Sequence, residues 1–224
     1  MRLKITKTLI ESWAYTFDCM EEYADDAMAD FLSTLKREPR EPSEAMIAGT
    51  NFENLCYRIA SGENVVETVL LDSVNPVTGE VNECRKFPDN YDGAKKIADI
   101  ITGGQIQVPV SCDLTVAGQD FWIYGICDVV KAGVIYDVKF RTTSLGSSDV
   151  YGKYLHCSQH PLYLQALPEA RRFDYLVSDG RDLYVESYDR NLIEPAEVHI
   201  RNFWAWLHTK PELLEIYKEK WVVE

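Results

Sequence analysis

Gln119-Asp-Phe-Trp-Ile-Tyr-Gly-Ile-Cys-Asp-Val-Val130, then Lys131-Ala-Gly133, then Val134-Ile-Tyr-Asp-Val-Lys-Phe-Arg-Thr-Thr143, is the stretch that decides the fold. It predicts two β-strands joined by a tight turn, with Gly133 supplying the positive φ of a three-residue hairpin loop. In the second strand Val134, Tyr136, Val138 and Phe140 alternate with Ile135, Asp137, Lys139 and Arg141. A period of two puts Asp137 and Lys139 on one face, roughly 7 Å apart along the strand. Folding the hairpin back places Asp128 opposite Tyr136 or Asp137, according to the turn register. Two acids and a lysine thus gather near one end of an apolar hairpin. Paired carboxylates suit a hard divalent cation that activates water, and a lysine beside them can steer that water or stabilise charge on a phosphate. Asp-x-Lys by itself also describes an ordinary surface ion pair, so the rest of the chain must decide.

Composition narrows the field. The chain has 224 residues, enough for one large domain or two small ones, with 46% hydrophobic and 26% charged residues, as in a soluble globular protein. No apolar run approaches the roughly 20 residues of a membrane span, and the start lacks a signal-peptide core. The 6 cysteines are scattered with no Cys-x-x-Cys pair. That pattern argues against a zinc knuckle or an iron–sulfur cluster and fits reduced thiols in a cytoplasm. A net charge of -13 argues against nonspecific wrapping of nucleic acid, while leaving room for a local basic groove. Lys131, Lys139, Arg141, Lys153, Arg171 and Arg172 outnumber Asp137, Asp149 and Glu169 between 131 and 172, which is where such a groove is expected.

Upstream, the apolar spacing of Trp13, Phe17, Met20, Ala24, Ala27, Phe31 and Leu35 predicts one long amphipathic helix over 8–36, opened by a Thr8…Glu11 capping box. Glu11, Asp18, Glu21, Glu22, Asp25, Asp26 and Asp30 read as its solvated face. A second helix is expected from Ser43 to about Ala60, closing at Ser61-Gly62. Gly49 and Glu53 share one face of it, a small residue one turn below an acid. Short β-prone pieces and a turn at Asn75–Gly79 follow, then a helix near Ala94–Ile101 and a strand over Gln105–Val116. That strand and the hairpin make an antiparallel meander. Past a polar loop at 144–148, a helical pattern runs from Val150 to about Leu167. Pro161 either kinks it or marks its true start near Ser158. Strands at 173–177 and 183–188 flank a Ser178-Asp-Gly-Arg181 turn, and helices at 195–208 and 211–222 close the chain. With no internal repeat or low-complexity linker, one α/β domain over 1–224 is expected: an N-terminal helical part (1–60), a core (49–190) and C-terminal helices (193–224).

Gly49-x-x-x-Glu53, Gly125-x-x-Asp128, Asp137-x-Lys139 and Gln159-x-x-x-Tyr163 together resemble the signature of the PD-(D/E)xK nuclease superfamily. The likeness is to its RecB-like, phage-type (lambda-exonuclease-like) exonuclease branch, in order, element type and relative spacing across 49–163. It implies an α+β, restriction-endonuclease-like core: a central mixed sheet, its meander over 105–141, flanked by helices. By this resemblance Asp128, Asp137 and the carbonyl of Val138 are metal ligands. Lys139 orients or activates water, and Glu53 assists at the metal. Gln159 and Tyr163 face the cleft to hold DNA or brace the catalytic groups. Arg141, Thr142, Thr143 and Lys153 are candidate phosphate contacts.

Many RecB-like members carry a histidine just before the helix acid, a feature that favours Mn²⁺. Phe52 stands there in this chain, so Mg²⁺ is the expected cofactor, with Mn²⁺ as a substitute and no iron–sulfur cluster. No Gly-x-x-x-x-Gly-Lys-Ser/Thr loop of a helicase motor is present. The resemblance implies a DNA exonuclease of phage recombination or DNA repair, with DNA as partner, a single-strand annealing or recombination protein as a second, and a ring-like homo-oligomer as in some relatives. A structure-specific or nicking endonuclease, and an inactive nucleic-acid-binding module, are the rival readings.

Overall fold

Arg2–Ile5 alternates cationic and aliphatic residues and forms strand β1, with Leu3 and Ile5 fully buried and Arg2 and Lys4 on the other face. The structure, a computed structural model, describes residues 1–74, 81–146 and 150–223. Helices α1 (Lys7–Asp18) and α2 (Ala24–Lys36) follow, joined by a 3₁₀ turn at Glu21–Tyr23. The single helix expected over 8–36 is therefore two. Cys19 and Met20 are extended, and Phe17 and Met20, placed on the apolar stripe, are exposed. A physical cause is at hand. Continuing the helix would leave these acids in mid-helix, whereas the break puts Glu21, Glu22, Asp25 and Asp26 at helix N-termini, where the backbone dipole favours negative charge. The start differs too: Thr6 caps α1, accepting from the Leu9 N–H at 3.4 Å.

Helix α3 (Glu44–Ala60) matches expectation, with Ser43 accepting from the Met46 N–H at 3.3 Å. Strands β2 (Glu67–Val74) and β3 (Val81–Lys86) pair as a separate antiparallel hairpin; the Asn75–Gly79 turn lies outside the described residues. Then come α4 (Tyr91–Ile101), β4 (Gln105–Val116), β5 (Gln119–Lys131) and β6 (Val134–Phe140). Helix α5 is short, Gln159–Ala166, so of the two readings of Pro161 the start near Ser158 is the observed one. Strands β7 (Arg172–Ser178) and β8 (Leu183–Asp189) and helices α6 (Ala196–His208) and α7 (Pro211–Lys220) lie where expected. Val222, read as helical, instead begins strand β9 (Val222–Val223).

The architecture is mixed α/β, a central mixed sheet flanked by helices, in the order β8-β7-β6-β5-β1-β9 with β4 also on β5. Strands β4, β5 and β6 form the antiparallel meander, while β6 runs parallel to β7 and β1 parallel to β5. One edge of β5 carries β4 along almost its whole length. The other edge is shared: β1 pairs with residues 120–123 and β6 with 129–131. Neither β1 nor β6 pairs with residues 124–128, so the sheet forks there. Helix α5 packs into the fork, where the Tyr163 ring occupies the space a Cβ at Gly125 would need.

The two faces are covered unequally. On one, Leu3, Ile5, Phe121 and Ile123 pack against Leu9 and Trp13 of α1, Phe31 and Leu35 of α2, Phe203 and Leu207 of α6, and Tyr217 of α7. Truncating one such ring, as in Phe203→Ala, costs about 3–5 kcal/mol. On the other face, Phe52, Leu55 and Cys56 of α3 and Ala94, Ile97 and Ile101 of α4 cover Val129, Val138 and Leu176, with Tyr136, Phe140 and Leu183 packed alongside, at the β5–β6–β7 end. The chain end is tied back to its start. Tyr217 donates to the Lys4 carbonyl at 2.9 Å, and the Trp221 indole donates to the Leu35 carbonyl at 2.8 Å.

Candidate active site

The hairpin turn fixes the geometry. Lys131 pairs with Val134, so the loop has two residues, Ala132 and Gly133, with φ of 51° and 75°. This two-residue turn, with positive φ at both central positions, replaces the expected three-residue loop because its twist matches the flanking strands. Val129 faces Tyr136, and one further step of that register brings Asp128 across from Asp137. The ladder does not continue there. The Val138 N–H donates to Asp128 Oδ2 at 2.9 Å instead. Asp128 thus sits at the mouth of the fork, its carboxylate replacing a missing strand bond.

Asp137 is 2% exposed and held from two sides. Lys139 Nζ lies 2.5 Å from its Oδ2, and the Gln159 side-chain amide donates to its Oδ1. A buried carboxylate persists only with such partners. Gln159 is fixed in turn by Lys7 of α1, whose ammonium donates to its Oε1 at 2.9 Å. Glu53 approaches from α3, accepting from the Tyr57 hydroxyl at 2.5 Å and the Gln107 amide at 2.8 Å. Tyr57 also lies 3.4 Å from the Asp128 carbonyl, which couples the α3 side to β5.

Charge is concentrated here. Asp128 is pushed up to about 8, first by burial, then by Asp137 and Glu53, against the pull of Lys139 and the Val138 N–H. Burial works to lower Lys139, but Asp137 and then Asp128 outweigh it and hold the ammonium above its ordinary value. Tyr57 and Tyr163 are both raised, first by burial; next comes Asp128 for Tyr57 and Asp137 for Tyr163.

The expected residues divide into groups. Glu53, Asp128, Asp137, Lys139 and Gln159 come together, with Val138 between the strand acid and lysine. Tyr163 is buried against Gly125 rather than open to solvent. The Arg141 guanidinium turns back onto Thr143 Oγ1, at 2.8 Å from Nη2, while its backbone N–H donates to the Ser178 carbonyl. Thr142 is exposed. Lys153 lies apart from the strand, on the rim of a groove of about 720 Å³ shared with Lys7, Glu11, His156 and Ser158. A Cβ at Gly49 would meet nothing within 4 Å, so the glycine is not required there by close approach of another part of the described chain. Phe52, at the position where many RecB-like members carry histidine, is buried and stacked on Phe140 with ring centroids 4.7 Å apart.

Sequence reasoning misses several participants. Glu11 belongs to the face that reads as solvated, yet burial raises its pKa, Lys7 and Lys139 oppose the rise, and Asp137 adds to it. It borders the Asp137 side of the site. Tyr57 is findable, being one helical turn beyond Glu53. Gln107 carries no sequence signal: its φ of 53° is a strained conformation inside a strand, on the β4 position that the ladder aligns with Asp128.

No family model and no curated protein matches the chain. Solved structures do resemble it. The crystal structure of SSO0001 superimposes with a TM-score of 0.50 at 11% identity, over 94% of this chain and 78% of that one. The crystal structure of LHK-Exo in complex with dAMP gives 0.42 at 15% identity, over 97% and 92%. At such identity the first likeness concerns the fold alone, the central mixed sheet flanked by helices, and the second score is too low to bear on function.

Proposed function

We propose that this chain is a divalent-metal-dependent deoxyribonuclease that removes nucleotides from DNA ends. The observation that carries the reading is the meeting of Glu53, Asp128, Asp137 and Lys139 at the fork, with Asp128 held far above the ordinary carboxylate range by burial and its acidic neighbours. Carboxylates crowded against one another in a buried site are what a cation relieves, and an all-oxygen donor set suits Mg²⁺ or Mn²⁺. The fit is that of a pair rather than a ready cage: among the described residues no three His, Cys, Asp or Glu side chains are spaced as a complete ligand set. Asp128, Asp137 and the Val138 carbonyl would hold the ion, with substrate oxygens and water completing it.

Such an ion supplies Lewis acidity to the scissile phosphate and acidifies a water. The chain's own groups do the rest. Lys139 keeps its proton tightly, so it acts as a hydrogen-bond donor that lines up the attacking water and meets charge developing on the phosphoryl oxygens. Gln159 stops Asp137 from rotating. Glu53, half-buried and held by Tyr57 and Gln107, is placed to accept a proton or bind a second water.

End-labelled linear and covalently closed circular DNA, incubated with Mg²⁺, Mn²⁺ or EDTA beside a Lys139→Ala control, tests the reading. Metal-dependent loss of linear DNA alone, abolished in the variant, supports it. Cutting of the closed circle would reassign the chain as an endonuclease. No cleavage by a folded protein would remove the enzyme reading.

A further inference from the structure

The half of the sheet that α3 and α4 leave uncovered carries aromatic rings and cations beside two acids, Asp113 and Asp120. Along β5, Trp122, Tyr124 and Ile126 point to that face, Ile126 being 42% exposed. Lys4 of β1 is in register with Trp122. Its ammonium lies 4.1 Å from the Tyr124 ring centroid and 5.1 Å from that of Trp122, and the two rings are 5.2 Å apart. Arg2 lies 5.7 Å from the Trp122 ring and pairs with Asp113 at 2.9 Å. Arg37, at the end of α2 and so in the layer on the other side of the sheet, lies 5.2 Å from the Trp221 ring and donates to the Lys220 carbonyl at 3.2 Å.

Lys4 and Arg37 are the telling pair. Neither has a carboxylate partner among the described residues, and the two are near enough that Arg37 adds to burial in lowering the Lys4 pKa. In a chain of net charge -13, acids were available to pair them. Instead, aromatic rings flank both cations, which leaves their charge open to an outside anion. Six residue steps along extended β5 take Trp122 to Asp128, on the order of 20 Å.

Building on the nuclease reading, we infer that this stripe is a single-strand track leading to the catalytic fork. Lys4 and Arg37 meet backbone phosphates, and unstacked bases lie against Trp122, Tyr124 and Ile126. Cations interleaved with aromatics are the recurring solution for single strands, whose bases are free to stack. A duplex offers this flat surface only its phosphates.

Fluorescence anisotropy of a dye-labelled oligothymidylate in EDTA, where the proposed hydrolysis is off, tests the track. Lys4→Gln and Trp122→Leu are each expected to weaken binding about tenfold. Lys4→Gln should also flatten the log-affinity against log-salt slope by about 0.7 for each phosphate left without its cation. Lys4→Arg should restore affinity, and a labelled dinucleotide, too short to reach from the fork to Lys4, should bind all four proteins alike. Unchanged oligonucleotide affinity in folded Lys4→Gln and Trp122→Leu overturns the track, even where the wild type cleaves DNA in Mg²⁺. Equal affinity for duplex, or full competition by millimolar inorganic phosphate, also overturns it, reducing the stripe to a generic anion site. A wild type that cleaves nothing but binds single strands through Lys4 would sink the nuclease reading and leave the track standing.

Discussion

Asp137 and Glu53 enter the same site from opposite directions and are held in opposite ways. Asp137 sits on a central strand, 2% exposed, gripped by Lys139 and by a Gln159 that Lys7 fixes from a third element. Glu53 projects from a helix at the rim, half-buried, held by Tyr57 on its own helix and by Gln107 on an edge strand. The first arrangement is part of the core, so disturbing it damages fold and site together. The second rests on side chains whose loss leaves the core intact. Fold and chemistry are therefore inseparable on one side of the site and separable on the other.

The largest expected effect tests the inseparable side. Lys139→Ala removes the proposed water-positioning donor and leaves a buried carboxylate with one partner fewer. Cleavage should fall about 10³-fold, within the span of a lost proton-transfer or donor group. Stability should fall by about 3 kcal/mol, the scale for half of a buried ion pair. Digestion rates and urea unfolding on one preparation check both. A variant that loses cleavage at wild-type stability would show that Asp137 does not depend on this partner.

Gln159→Leu comes next. It keeps the volume but withdraws the amide from Asp137 Oδ1 and the acceptor from Lys7. A buried acceptor left unmet costs about 1–3 kcal/mol, and a mispositioned Asp137 should slow cleavage about a hundredfold. A loss confined to KM would instead place Gln159 on the substrate.

Asp128 lies between the two regions and predicts a pH dependence. Its folded pKa is raised, to about 8 from 3.8, so the folded state binds the proton more tightly than the unfolded chain. Its contribution to stability is then complete below about pH 4 and is lost as the pH rises toward 8. In EDTA, Asp128→Asn should remove that decline and be the more stable protein at pH 8, though inactive. Urea midpoints across pH 4 to 9 decide this; parallel curves for the two proteins would mean that Asp128 is not strained by its neighbours.

How much of this is legible in the sequence follows from what is local. The 119–143 hairpin declares itself by alternation and a glycine turn, but its register depends on a loop one residue shorter than the sequence suggests. Helices α1 and α2 read as one because the apolar spacing runs through Met20 by coincidence. Strand β1 does not stand out, since four residues carry little pattern and its partner β5 lies more than a hundred residues away. The same holds for the site. Glu53, Asp128, Asp137, Lys139 and Gln159 stand at recognisable spacings on separate elements. Glu11 looks like any acid on a charged helix, because its burial is conferred by elements distant in sequence.

The smallest effect on stability, and the sharpest test of the separable side, belongs to Gln107. Its φ of 53° costs a non-glycine residue on the order of 1 kcal/mol, and its amide reaches Glu53 at 2.8 Å and the Tyr57 hydroxyl at 3.2 Å. Gln107→Gly relieves the strain but loosens the unfolded chain by a similar amount, so net stability should move by less than about 1 kcal/mol. Glu53 meanwhile loses one of its two holders, and cleavage should slow about tenfold, the low end for one hydrogen bond to a charged group. Gln107→Asn tolerates the same backbone but is one carbon short of Glu53, so it should match the glycine variant in rate while keeping wild-type stability. If both variants lose stability by several kcal/mol, the strained residue is a fastener of β4 to α3, and the contrast between a core-held and a rim-held carboxylate fails. If both keep stability and slow cleavage together, the strain in β4 is there to hold Glu53 at the fork.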